Sequence, residues 1–69
     1  MNLQDIITQD KDILGGIPVF TGTRVPVDSL LSHLKAGVRL DEFLDDFPSV
    51  KREQAIALLE TLEAMVLAE

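Results

Sequence analysis

Apolar residues in the second half of this 69-residue chain recur at helical spacing, whereas those in the first half come in short isolated runs. Leu40, Phe43, Leu44 and Phe47 stand at i, i+3, i+4 and i+7, which puts all four on one stripe of a helix over 40–47. Pro48 stops that helix, because it lacks a backbone N–H and its ring blocks the preceding turn. Upstream, Leu30, Leu31 and Leu34 make another apolar face, with Asp28 as the expected N-cap and Gly37 as the stop. Downstream, a longer helix is predicted from Val50 or Lys51 to Leu67, on the order of 25 Å at 1.5 Å per residue. Ala55, Ile56, Leu58, Leu59, Leu62, Met65 and Val66 give it more apolar surface than one packing stripe uses, and Glu53, Glu60 and Glu63 mark its wet side.

The N-terminal third has no such period. Leu3, Ile6 and Ile7 fit a single helical turn or a short edge strand equally well. Gly15-Gly16 break the chain before Pro18, and Val19-Phe20 and Arg24-Val25 then flank Thr21-Gly22-Thr23. A three-residue loop containing glycine predicts a β-hairpin, with Gly22 supplying the positive φ. The expected fold class is mainly α: a short N-terminal β-hairpin element followed by a three-helix helix-turn-helix. The chain forms one domain, 1–69, with the β element over 1–26 and the helices over 27–69.

Size and charge narrow the function classes. Below roughly 70–80 residues a single core rarely supplies more than about 3–5 kcal/mol. With no cysteine and one histidine, disulfides are excluded and no structural zinc site is expected to add to it. A partner, a second copy or another protein, is then the expected support. Twelve acidic against six basic residues give a net charge of −6. Nucleic-acid affinity comes from Lys and Arg neutralising phosphates, so this balance disfavours DNA binding by a monomer and suits a basic protein partner. No apolar run approaches a membrane span and the N-terminus carries no leader pattern, so a cytoplasmic, non-membrane protein is expected. No nucleophile–base pair or phosphate loop stands in the sequence, and we expect no enzyme, metal or cofactor.

The run GGIPVFTGTRVPVDSLL, followed by LKAGVRLDEFLDDFP and a closing helix, resembles a family of small bacterial proteins known as domain of unknown function 433, whose members look like VapB-type antitoxins. The resemblance extends from about Ile13 to Leu62, and PVFTGTRVPV is its most specific block. It implies a homeodomain-like helix-turn-helix behind a small β element. It also implies an antitoxin that binds and silences a PIN-like nuclease toxin, and one that also binds its own promoter DNA. A stand-alone helix-turn-helix regulator is the alternative. Two positions depart from the family pattern: Arg39-Leu40 replace a capping Ser-Pro, and Lys51 replaces a capping Thr. Each lost cap costs about 1 kcal/mol.

Arg24 is the sharpest candidate. On a rigid turn its guanidinium could fork onto the metal-binding carboxylates of a PIN-type nuclease. The competing role is an internal salt bridge to Asp28 or to an acid of the 40–47 helix. Leu58, Leu62, Met65 and Val66, with Leu59 and Leu67, extend an apolar run of which packing should use about half, leaving the rest for a toxin or a homodimer. Arg39, Lys51, Arg52 and Gln54 lie at the helix starts where phosphates and base edges would be met, and Lys35 could add a phosphate contact. His33 is expected on the polar face of its helix. Asp45-Asp46, with Asp41 and Glu42, read as a solvated acidic face.

Overall fold

The computed structural model describes residues 1–68. Its elements in order are α1 (Leu3–Ile6), β1 (Ile7–Thr8), a 3₁₀ turn (Leu14–Gly16), β2 (Val19–Phe20), α2 (Val27–Lys35), α3 (Leu40–Asp46) and α4 (Arg52–Leu67). The fold is mainly α, with a short antiparallel β pair ahead of three longer helices. The ambiguous Leu3–Thr8 segment takes both options: one helical turn and then a strand.

The ends of α2 and α3 have reasons visible in the sequence. Gly37 adopts φ +84° and closes α2 in a Schellman motif, with Val38 N–H donating to His33 O at 2.9 Å and Gly37 N–H to Leu34 O at 3.0 Å. The start of α2 differs from expectation. Pro26 is the N-cap and Asp28 falls in the first turn, where its charge faces the positive end of the helix dipole. After Phe47, a turn through Pro48 and Ser49 brings Val50 N–H onto Phe47 O at 3.0 Å, and α4 begins two residues later.

The β element is also paired differently from the predicted hairpin. Gly22, at φ +82°, forms the turn over 20–23, closed by Thr23 N–H to Phe20 O at 3.0 Å. The return arm joins β2 through Phe20 N–H to Val25 O, Val27 N–H to Pro18 O and a single Val19–Pro26 bridge. Regular strand pairing is instead made with β1, Ile7 opposite Phe20 and Thr8 opposite Val19. Arg24-Val25 is thus an arm of the turn and not a full strand.

Ile6, Phe20, Leu30, Phe43, Val50, Ala55 and Leu58 form the core, so every element but β1 and the 3₁₀ turn contributes at least one buried anchor. Phe43 sits between Phe20 and Phe47, with ring centroids 6.5 and 4.8 Å away. His33 belongs to this cluster. It is half-buried, edge-on to Phe43 and Phe47, and its Nδ1 meets Ser29 O; it is not on a polar face. No helix among the described residues is long and apolar enough to cross a membrane.

Candidate functional site

The turn carrying Arg24 is fixed from several sides. Thr23 is buried; its hydroxyl donates to Phe20 O at 2.7 Å and accepts from Val25 N–H at 3.0 Å. Thr21 N–H donates to Ile6 O at 3.0 Å, and the Thr21 hydroxyl donates to Gln4 O at 2.7 Å. That commits the one Thr21 hydroxyl proton, so the 2.8 Å contact between the two threonine hydroxyls is donated by Thr8. Arg24 rides on this frame with its side chain in solvent. It forms no ion pair among the described residues, and the bridge to Asp28 or to an α3 acid does not form.

Gln54 completes the frame, and this corrects its reading as a base-contacting residue. It is 5% exposed. Its Nε2 donates to Thr21 O at 2.9 Å and to Asp5 O at 3.1 Å, while its Oε1 accepts from Lys51 N–H at 3.1 Å. One amide therefore ties the turn, α1 and the start of α4 together. The last of these bonds is the N3-to-N-cap half of a capping box, made although Lys51 has no side-chain oxygen for the other half. With its donors and acceptor engaged inside the fold, Gln54 has nothing left for a base edge.

The remaining cationic candidates divide. Asp41 accepts from Arg52 at 2.7 Å and has Arg39 at 3.8 Å, all three groups exposed. The Arg52 hydrogen bond, and then its charge, hold the Asp41 carboxyl below the ordinary aspartate value of 3.8; Arg39 adds a smaller pull the same way, and partial desolvation opposes them. Two of the four proposed phosphate contacts thus share one acid. Lys51 is exposed and makes no ion pair among the described residues. Arg39, as N-cap of α3, makes no side-chain cap, so that end lacks the oxygen the family pattern supplies.

The apolar candidates on α4 form a graded series. Leu58 is 4% exposed and lies in the core, so it is not available as partner surface. Leu62 is half-buried against that core. Met65, Val66 and Leu67 are then 63%, 73% and 75% exposed. Spacings of four and three residues put Leu58, Leu62 and Met65 on one helix face, which leaves the core and continues into solvent. These exposed residues do not join Arg24 in one patch. Gln54, bonded to the Arg24 turn, lies eleven residues before Met65, about 16 Å along the helix axis.

A family model described as "Protein of unknown function (DUF433)" matches residues 7–60. The uncharacterized protein y4eO of Sinorhizobium fredii is 41% identical over 51 residues, which cover 74% of this chain and 23% of that protein. The chain thus spans less than a quarter of the length of this curated relative. No solved structure gives a significant match.

Proposed function

The chain belongs to the DUF433 family, proteins of unknown function, and on that premise we propose that it is an antitoxin-like interaction protein that binds and neutralises a PIN-like nuclease. The observation that carries the reading is the end of α4, where the stripe of Leu58 and Leu62 leaves the core and continues into exposed Met65, with exposed Val66 beside it. Apolar side chains contiguous with a core are an incomplete packing surface, and a partner that covers them gains the burial the domain forgoes. The net charge of −6 selects a basic partner. Exposed Arg24 on its braced turn is a second contact, suited to carboxylates at a nuclease centre.

The test begins with tagged protein recovered from its native cytoplasm after nuclease treatment, with bound chains identified by mass spectrometry. RNA cleavage by the recovered partner is then assayed with wild-type protein and with Met65→Glu/Val66→Glu. Inhibition by the wild type and its loss in the double variant are the expected results. A partner without a carboxylate nuclease centre, or one that cleaves RNA equally in both mixtures, overturns the reading. Promoter binding draws no support from Gln54, which is buried, or from Arg39 and Arg52, which share Asp41.

A further inference from the structure

An open groove of about 500 Å³ runs along the flank of α4 beside α1. Met1, Ile6 of α1, and Glu53, Ile56, Ala57, Glu60 and Ala64 of α4 line it; Glu53, Ala57, Glu60 and Ala64 follow at i, i+4, i+7 and i+11, so acids and small residues alternate along one stripe. Thr61 also lines it, but the Thr61 hydroxyl is donated to Ala57 O at 2.8 Å, so that residue turns no free donor into the groove. We propose that this groove binds a basic amphipathic helix of a partner protein, its lysines or arginines on Glu53 and Glu60 and its apolar side chains on Ile6, Ile56 and the alanines of that stripe.

The charge and shape of the groove choose among occupants. A second copy would bring two more acids into the same contact, because a two-fold interface uses the same surface on both sides. Nucleic acid and anionic lipid meet the same repulsion. A small ligand needs an enclosed site, and this groove is open. A helix fits on each count. The small side chains Ala57 and Ala64 permit close approach, and the length from Glu53 to Ala64, about 16 Å, takes roughly three turns. Cationic flanks then pair with the two acids, giving orientation and encounter rate more than raw affinity. The inference stands whether or not the partner is a nuclease.

The experiment uses the full chain with labelled methyl groups and a synthetic stapled helix of about 14 residues, four turns, bearing a Leu/Ile stripe flanked by lysines. Its twin carries glutamates in place of the lysines. The lysine peptide is expected to shift the methyl signals of Ile6, Ile56, Ala57 and Ala64 and to leave Met65 and Val66 unmoved. Glu53→Gln/Glu60→Gln should weaken it about tenfold and flatten its salt dependence, and Ala64→Arg should block it, each with unchanged melting temperature. Equal binding by the two peptides, shifts centred on Met65–Leu67, or no shifts at all overturn the proposal. Loss of nuclease neutralisation with peptide binding intact would fail the antitoxin reading alone.

Discussion

A polar residue near the start of a long helix ordinarily belongs to solvent, and Gln54 shows what decides otherwise. It stands four residues before Leu58, on the stripe that faces the core, and its own buried amide is satisfied by two carbonyls and one N–H. Leaving a buried acceptor unmade costs roughly 1–3 kcal/mol, more than the net worth of an ordinary hydrogen bond. Gln54→Ala is therefore expected to destabilise the fold by about 2 kcal/mol, which in a domain of this size lowers Tm by about 4–8 °C per kcal/mol. Thermal and urea unfolding measure it. Gln54→Glu is the sharper variant: it keeps the acceptor for Lys51 N–H but sets a carboxylate against the Thr21 and Asp5 carbonyls. It should be worse than alanine at neutral pH and recover in part as acid protonates it. A residue serving only as a base contact would leave both curves unmoved.

At the scale of elements, the junction of α3 and α4 is held in part by charge. Asp41 in the first turn of α3 reaches Arg52 in the first turn of α4 across the Phe47–Ser49 break. Its carboxyl is depressed by Arg52, so its contribution is complete above the ordinary aspartate value and is lost as pH falls through the lower folded value. A carboxyl-detected NMR titration should place Asp41 below an unpaired aspartate, and Arg52→Gln should return it upward; an unchanged Asp41 titration in that variant removes the assignment. The pair is exposed, so its effect on unfolding is small and fades with salt. The helices around this junction were legible in the sequence because their apolar periods are strong and their stops, Gly37 and Pro48, act locally. The β1–β2 pairing was not: it joins Ile7 to Phe20 across thirteen positions, and two-residue strands carry no period. Helical spacing from Leu58 would have placed Gln54 on the buried stripe, but its polarity outweighed its register. Of the candidate site, the apolar run of α4 was legible as a set. The boundary within it was not, since which of Leu58, Leu62 and Met65 meets the core depends on how far along α4 the rest of the fold reaches.

For the whole molecule, that boundary governs how the partner surface should be probed. Leu58 is core, and a charge there would abolish binding by unfolding the protein, which says nothing about an interface. Met65 and Val66 are mostly exposed, and surface substitutions usually change stability by within about 0.5 kcal/mol. Met65→Glu/Val66→Glu should therefore melt at the wild-type temperature. Burying the two wild-type side chains at a partner face is worth roughly 1.5–3 kcal/mol each, so the double variant should lose partner affinity by about a hundredfold or more. A small core makes the same loss visible as stability. A ligand that binds only the folded state adds about 2.7 kcal/mol at one hundred times its Kd. In a domain with so thin a core, that increment is a large part of the total. Adding the purified partner should raise the Tm of the wild type by several degrees and leave the double variant where it was. A partner that raises both equally binds elsewhere on the molecule, and the exposed end of α4 then loses its place in the interface.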